Sequence, residues 1–277
     1  THFVVTTTTA NAVAVYRHME FVRQCVCPEM DVHLISTTEA WAQFAVAGPK
    51  SRELISRVVD CDVSNEAFPF MACADIQLKN GLRARLFRIS FSGELAYEIA
   101  VPTRFGNSFF EYLLECGDDL SVTPYGLEAL GVLRIEKGHA AGAELNGQST
   151  AKQLGLERMV TQTKDSIGRV LAGRDVLMQD TTELVGLRTI HPGDQLVGGA
   201  HLVACGAPAD AAHDLGHVTS TAYSPHLQSM IALAYLKDAA QYRGLTIRAV
   251  SLLDQLDVEV EVVSPHFVDP EGERLRA

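Results

Sequence analysis

Hydrophobic residues recur along this chain at two different spacings, and each spacing predicts a type of element. Apolar side chains three to four positions apart predict helices, and proline or glycine stands near several of their ends. These predicted helices cover residues 10–27, 48–59, 103–116 and 123–137. β-branched runs and residue-by-residue alternation predict strands between the helices, and these strands cover residues 3–9, 31–37, 41–47, 71–78, 83–89 and 95–102.

The pattern changes near residue 180. Short strands then follow at fairly regular spacing, which is typical of a small β-barrel or sandwich. They cover residues 184–190, 201–205, 216–223, 230–236, 246–250 and 258–263. Because helices mixed with mostly antiparallel strands precede them, the sequence predicts an α+β domain over residues 1–180 and a barrel domain over residues 181–277.

One candidate ligand-binding residue lies in the stretch 88–102, where two strands are predicted around a turn at residues 92–94. Alternation along the second strand places Tyr97 on one face and Glu98 on the other. A carboxylate on an apolar strand close to a glycine turn is a candidate for binding a ligand. The alternative is that Glu98 is solvated or paired with a nearby arginine.

A second candidate is Arg134, which lies on an otherwise apolar face of the predicted helix at 123–137. An arginine at such a position loses hydration unless it meets a carboxylate or an anionic ligand. The sequence therefore allows either a ligand contact or a structural pair with Glu98, Glu128 or Glu136.

Composition narrows the possible partners. The 277 residues are 47% hydrophobic, enough for a large core in one or two domains. A net charge of −11, without a basic cluster interleaved with aromatic residues, argues against nucleic acid. No apolar run approaches the roughly 20 residues that cross a bilayer, so we expect a cytoplasmic protein without a membrane partner. The chain opens without methionine on a predicted strand, and we expect it to be the back part of a longer polypeptide.

Familiar catalytic motifs are missing from the sequence. It has no P-loop, no dinucleotide-binding glycine pattern and no Gly-x-Ser-x-Gly elbow. The six cysteines are scattered, and Cys25 and Cys27 lack zinc or redox spacing, so we expect free buried thiols. His213 and His217 are four residues apart, but the strand pattern around them speaks against a metal-binding helix. We therefore expect no metal site.

Several runs of residues together resemble one known family. The most specific are Arg-Ile-Ser-Phe-Ser-Gly-Glu-Leu-Ala-Tyr-Glu-Ile at 88–99 and Leu-Arg-Ile-Glu-Lys-Gly at 133–138. Further matching runs lie at residues 6–9, 46–52, 64–71, 123–126, 164–168, 184–187 and 264–272. The chain resembles the folate-binding T-protein (aminomethyltransferase) family of glycine cleavage, and more narrowly the C-terminal part of the alpha subunit of heterotetrameric sarcosine oxidase.

This resemblance implies a fold and a reaction. The fold is two ferredoxin-like α+β lobes followed by a small β-barrel, with the N-terminal part of the first lobe missing. The resemblance implies that tetrahydrofolate sits in the hole between the lobes. It also implies that sarcosine is demethylated at a flavin in another subunit of the complex. The imine formed from this small N-methyl amino acid would then be captured here as 5,10-methylenetetrahydrofolate. Flavin and NAD are expected elsewhere in that complex, and the other oxidase subunits are the expected protein partners.

The resemblance also implies site residues. Glu98 matches the family glutamate that holds the pterin, where one carboxylate can accept hydrogen bonds from the ring N3–H and the 2-amino group. Phe91 stands where T-proteins have a tyrosine, so stacking on the pterin could remain. Arg134 matches an arginine near the folate, and we expect Tyr97, beside Glu98, to be a further cofactor contact. The family's catalytic aspartate would precede Thr1, so no catalytic residue is assigned and the chain alone is expected to be incomplete.

The chain departs from the T-protein pattern in two further places, and the first of them keeps a non-catalytic function open. Residues 138–142 read Gly-His-Ala-Ala-Gly where T-proteins carry Tyr-Gly, and residues 251–254 read Ser-Leu-Leu-Asp where T-proteins are basic. One pocket wall and the anchoring of the folate tail are therefore expected to differ. The alternatives are a stand-alone folate-dependent aminomethyltransferase or demethylase, and a non-catalytic module that keeps the fold for assembly.

Overall fold

A computed structural model describes residues 2–161 and 163–277, which divide into two units. Unit 1 comprises Thr1–Ile89 and Ala96–Thr123, and unit 2 comprises Ser90–Leu95 and Pro124–Ala277. The short segment Ser90–Leu95 thus belongs to unit 2 although the strands on either side of it belong to unit 1. The domain boundary near residue 180 that the sequence suggests stays a prediction.

Unit 1 is built on one antiparallel sheet. Its helices are α1 (Ala12–Phe21), α2 (Ser51–Val58) and α3 (Gly106–Cys116), and its strands are β1 (Trp41–Ala47), β2 (Cys73–Gln77), β3 (Arg83–Phe87) and β4 (Ala96–Pro102). A 3-10 turn at Thr9–Asn11 precedes α1 and a π-helical turn at Val22–Val26 follows it. The strand order is β1-β4-β3-β2. These helices and strands agree with the α+β pattern predicted from the sequence.

The alternation along β4 separates the two faces of this sheet. Tyr97, Ile99 and Val101 are fully buried on one face. Helices α2 and α3 pack on β4 and β1, and they contribute their own buried side chains, among them Leu54, Ile55, Val58, Phe109 and Leu113. Glu98 points to the opposite face, where its register partners are Ala45 of β1 and Phe87 of β3. The predicted separation of Tyr97 from Glu98 is confirmed.

Two of the strands predicted in unit 1 are wrong. Residues 3–9 and 31–37 are largely irregular and exposed, and Phe3 keeps 85% of its surface accessible. β-branched residues favour a strand only where a neighbouring strand can take up the backbone hydrogen bonds. Within the described residues, no strand pairs with either segment. The strand predicted through residues 88–91 also fails, because β3 ends at Phe87 and the chain bends until Ala96.

The prediction of buried thiols is also wrong. Of the six cysteines, Cys25, Cys61, Cys73 and Cys205 are exposed, while Cys27 and Cys116 are partly buried, and all six are free. Cys73 is the first residue of β2, whose first three residues are all exposed, and Cys205 directly follows the last residue of β6.

Unit 2 joins helices to a closed six-stranded antiparallel barrel. Its helices are α4 (Leu127–Lys137), α5 (Arg169–Ala172), α6 (Asp175–Met178), α7 (Ala239–Tyr242) and α8 (Glu273–Arg276). Its strands are β5 (Glu183–Thr189), β6 (His201–Ala204), β7 (Gly216–Ser224), β8 (Ser229–Leu236), β9 (Thr246–Ser251) and β10 (Leu256–Val263). They close in the order β10-β5-β8-β7-β6-β9. The barrel predicted after residue 180 is therefore confirmed.

The barrel is filled by one side chain in two along each strand. Leu187, Leu202, Ala232 and Val260 are each fully buried in this core. The pairing of β7 with β8 is shifted between Val218 and Ser220. A bulge of this kind changes the direction in which side chains of an otherwise regular strand point. It brings the hydroxyl groups of the consecutive residues Thr219 and Ser220 to the same carboxylate, as described below.

Among the helices within residues 2–161 and 163–277, none combines the length and the apolar character needed to span a membrane.

Candidate functional site

Glu98 lies in unit 1 as a half-buried carboxylate on the sheet face opposite to the helices. The side-chain amide Nε2 of Gln43, on β1, donates a hydrogen bond to Glu98 Oε2. Burial raises the pKa of Glu98 above its usual value, and the Gln43 hydrogen bond opposes that rise only in part. No arginine pairs with Glu98 within the described residues, so the structural pairing left open by the sequence is not the arrangement found. The carboxylate can accept further hydrogen bonds from a ligand.

Tyr97, the neighbour of Glu98 on β4, is not accessible to a ligand. Its side chain has 0% of its surface exposed, and its hydroxyl donates to the Val63 carbonyl oxygen at 3.2 Å. The hydroxyl also accepts from Arg52 Nε at 3.1 Å. The expectation of a cofactor contact is therefore corrected. Tyr97 anchors β4 to the interior of unit 1 and thereby fixes the direction of Glu98 on the other face.

Phe91 is held in unit 2 by a short loop at Ser90–Leu95. The Ser90 hydroxyl donates to Glu94 O at 2.6 Å and accepts from Gly93 N at 3.1 Å, which closes the loop on itself. Gly93 has φ +85°, and a Cβ there would lie 2.9 Å from the aliphatic chain of Lys137. Only glycine permits both this conformation and this close approach. Phe91 keeps 40% of its surface exposed, so it is an aromatic residue accessible to solvent.

His139 is a functional candidate that the residue-by-residue reading of the sequence did not single out. Its Nδ1 lies 2.9 Å from the Phe91 carbonyl oxygen, and its ring is nearly parallel to the Phe91 ring at a centroid distance of 5.8 Å. Burial lowers the pKa of His139, and the nearby Lys137 and His266 lower it further, against the effect of the Phe91 carbonyl. The only signal in the sequence is the departure from the T-protein pattern at residues 138–142.

Arg134 of α4 does not meet any of the three carboxylates that the sequence suggested. Its Nη1 donates to Glu144 Oε2 at 2.9 Å, and its Nη2 donates to Ser220 Oγ at 2.7 Å. A longer bond joins Nη1 to the His139 carbonyl oxygen at 3.3 Å. Only 13% of the Arg134 side chain is exposed. The guanidinium is thus committed to partners within unit 2.

Glu144 is the centre of this polar network, and its side chain is fully buried. Oε1 accepts from the hydroxyls of Thr219 and Ser220 at 2.5 and 2.6 Å, and Oε2 also accepts from the Ala141 N–H at 2.9 Å. Burial alone would raise the pKa of Glu144. The hydrogen bonds from Ser220, Thr219 and Ala141, together with the charge of Arg134, outweigh burial and hold that pKa below its usual value.

The backbone of Glu144 is anchored as firmly as its side chain. Its carbonyl oxygen accepts from Tyr235 Oη at 2.6 Å and from Ser149 Oγ at 2.8 Å. These bonds attach the loop after α4 to strand β8 and to its own later part. The loop after α4 is therefore held by polar contacts at Glu144, and two of its apolar residues, Ala140 and Leu154, also pack against a hydrophobic cluster.

Within the part of the chain that the structure describes, no group of three or more His, Cys, Asp or Glu side chains is placed to hold a metal ion. His213 instead pairs through Nδ1 with Asp210 Oδ1 at 2.7 Å.

Two family models match this chain. The GCVT N-terminal domain matches residues 1–164, and the glycine cleavage T-protein C-terminal barrel domain matches residues 183–269. A crystal structure of glycine cleavage system aminomethyltransferase T from Bartonella henselae superposes with a TM-score of 0.73 at 22% identity, covering 94% of this chain and 67% of that one. This similarity shows the same fold.

Individual relatives agree with the family. Sarcosine oxidase subunit alpha from Rhizobium meliloti (strain 1021) is 45% identical over 276 residues, which is 99% of this chain and 28% of that protein. An aminomethyltransferase from Symbiobacterium thermophilum is 30% identical over 243 residues, which is 87% of this chain and 63% of that protein. The chain thus spans about a quarter of the length of its alpha-subunit relatives. On the strength of both domain matches, the chain belongs to the glycine cleavage T-protein (GCVT) family.

Proposed function

We propose that this chain binds tetrahydrofolate and serves folate-dependent one-carbon transfer. The observation that carries the proposal is Glu98, a half-buried carboxylate whose only hydrogen-bond partner within the described residues is the Gln43 amide. A pterin presents two adjacent N–H donors, and a carboxylate with free acceptor positions suits them. Since burial makes an uncompensated carboxylate costly, a ligand that supplies donors would gain affinity there.

The finer proposal is the oxidase reaction. Relatives named sarcosine oxidase subunit alpha match nearly the whole chain. We infer from them that the chain is the folate-binding part of such a subunit and works with the other oxidase subunits, in the cytoplasm. There, sarcosine would be demethylated oxidatively to glycine at a flavin elsewhere in the complex, where NAD is also expected. The one-carbon unit would pass to tetrahydrofolate as 5,10-methylenetetrahydrofolate.

The second candidate is a stand-alone aminomethyltransferase. The 30% identity to an aminomethyltransferase over 87% of this chain supports it. The two candidates differ in their partners: only the oxidase requires copurification with flavin-containing subunits. Both need the same folate-binding residues.

The remaining site residues receive separate proposals. The exposed ring of Phe91 is proposed as a stacking surface for a flat heteroaromatic ring. Arg134, with its guanidinium committed to Glu144 and Ser220, is proposed to act through the loop that it holds rather than by direct contact.

The substitution Glu98→Gln tests the proposal. Titration of tetrahydrofolate into the full chain by calorimetry should show an affinity lowered by about 10- to 100-fold, because a hydrogen bond to a charged group contributes about 1.5–3 kcal/mol. Glu111→Gln, at an exposed position of α3, makes the same chemical change and should leave the affinity unaltered. Equal affinities in wild type and Glu98→Gln would disprove the assignment of Glu98.

The pH dependence of binding gives an independent prediction. Glu98 has to be ionised to accept two hydrogen bonds, and its pKa is raised by burial. The affinity should therefore be fully present above that raised pKa and fall as the pH decreases through it. Because the pKa is raised, this loss should begin at a higher pH than for an exposed glutamate. The difference in affinity between wild type and Glu98→Gln, measured by calorimetry from pH 8 to pH 5, should shrink towards acid; a constant difference would contradict the prediction.

A further inference from the structure

The position of His139 is fixed by the end of helix α4. Gly138 ends the helix with φ +79°, and the His139 N–H donates back to the Arg134 carbonyl oxygen at 2.8 Å. The His139 carbonyl oxygen accepts in turn from Arg134 Nη1. With its backbone bonded on both sides, His139 has little freedom except rotation of the imidazole.

The contact with Phe91 fixes the tautomer of that imidazole. A carbonyl oxygen can only accept, so the 2.9 Å contact between His139 Nδ1 and Phe91 O requires a proton on Nδ1. In the neutral ring, Nε2 then carries the lone pair. The parallel stacking on Phe91 holds the ring plane as well.

The other ring nitrogen of His139, Nε2, is available to accept a hydrogen bond from a ligand. Nε2 has no hydrogen-bond partner within the described residues and is not among their buried unsatisfied atoms. Burial, Lys137 and His266 all favour the neutral ring, and the Phe91 carbonyl is the one contact that favours the charged ring. The side chain therefore offers a hydrogen-bond acceptor in fixed orientation beside an exposed aromatic ring.

We propose that His139 is a ligand-binding and specificity-determining residue, whose Nε2 accepts a hydrogen bond from an N–H or O–H donor of a flat heteroaromatic ligand at the Phe91 ring. This inference rests on the proposed function, in which the chain binds tetrahydrofolate, a molecule that contains a reduced pterin ring. Such a ring carries several N–H donors, whereas an analogue with an acceptor at the matching position would leave two lone pairs facing each other. His139 thus favours a ligand whose ring carries a hydrogen at the position that faces Nε2.

Two substitutions separate this role from a purely structural one. The amide nitrogen of asparagine can take the place of Nδ1, so His139→Asn keeps the bond to the Phe91 carbonyl but removes the Nε2 acceptor. The longer glutamine places its amide near Nε2, so His139→Gln keeps an acceptor there but loses the bond to Phe91. If His139 binds the ligand, His139→Gln should retain the affinity for tetrahydrofolate and His139→Asn should lose it. If His139 only supports Phe91, His139→Asn should retain the affinity and His139→Gln should lose it.

The experiment is a calorimetric titration of tetrahydrofolate into the full chain as wild type, Glu98→Gln, His139→Asn and His139→Gln. We expect His139→Asn to lose about 10-fold in affinity, the effect of one hydrogen bond, and His139→Gln to stay within about threefold of wild type. Long-range ¹⁵N–¹H correlation spectra should also show the Nδ1–H tautomer for the His139 signal, identified by its absence from the variants.

The other outcomes overturn the inference in distinguishable ways. Retained affinity in His139→Asn with loss in His139→Gln would make His139 a support for Phe91 only. Unchanged affinity in both variants, with loss in Glu98→Gln, would refute the role of His139 and leave the proposed function intact. Wild-type protein that is folded and assembled with the other oxidase subunits but does not bind tetrahydrofolate would refute both.

Discussion

Replacing Glu144 by alanine is expected to lower the free energy of unfolding by about 3–5 kcal/mol, the typical cost of removing one partner from a buried ion pair. Arg134, whose side chain is only 13% exposed, would lose its carboxylate partner, and the hydroxyls of Thr219 and Ser220 would lose their shared acceptor. Urea unfolding of the full chain, followed by circular dichroism, measures this change. The loop after α4 should lose order at the same time, because Glu144 is its anchor to the barrel.

Matched variants show whether burial causes the effect. Glu94→Ala removes a carboxylate that pairs with Arg274 at 2.9 Å near the surface, and it should cost about 0–1 kcal/mol. The double variant Arg134→Met with Glu144→Leu removes both charges and should be more stable than Glu144→Ala alone. A Glu144→Ala cost no larger than that of Glu94→Ala would contradict the description of Glu144 as the centre of the network.

Replacing Gly138 by alanine is expected to cost about 2–5 kcal/mol. A left-handed backbone conformation costs alanine about 1–2 kcal/mol, and overpacking adds typically about 1–3 kcal/mol. At φ +79° the new Cβ would lie 2.4 Å from the Pro265 carbonyl oxygen and 2.7 Å from His266 Nδ1. The C-terminal segment would have to move away from α4, and urea unfolding measures the resulting loss.

Gly206 provides a control with the same backbone angle. Its φ is also +79°, but no atom lies within 4 Å of the position that a Cβ would take. Gly206→Ala should therefore show the conformational cost of about 1–2 kcal/mol alone. Equal losses in Gly138→Ala and Gly206→Ala would mean that the close approach of residues 265 and 266 to α4 contributes nothing to stability.

The departure from the T-protein pattern at residues 138–142 acquires a physical meaning from the structure. Gly138 turns the chain sharply at the end of α4, His139 stacks on Phe91, and the Ala141 N–H bonds to Glu144. The sequence could only indicate that one pocket wall differs. The contacts show that the different residues form their own ordered arrangement, which is the basis for the role proposed for His139.

The secondary structure of this chain could largely be predicted from its sequence, and two of the failed strands share one cause. The six barrel strands lie within two residues of their predicted bounds, since alternation is a local property. Residues 3–9 and 31–37 carry strand-forming side chains but no neighbouring strand within the described residues. The β-propensity of a residue describes how well its side chain suits a strand. A strand forms only when a second segment, which can be distant in sequence, pairs with it.

For the functional residues, too, one part of the arrangement could be predicted from the sequence and another part could not. Spacing predicted that Tyr97 and Glu98 face opposite sides, and the family resemblance singled out Glu98, Phe91 and Arg134. The sequence by itself thus determined the fold class and the family, because hydrophobic periodicity and the motifs that resemble the family are properties of neighbouring residues. Only the tertiary structure decided that Arg134 bonds to Glu144 and Ser220, and that His139 bonds to Phe91. These partners lie 10, 86 and 48 residues apart, and a hydrogen bond depends on the folded positions of two atoms rather than on the spacing of their residues in the chain.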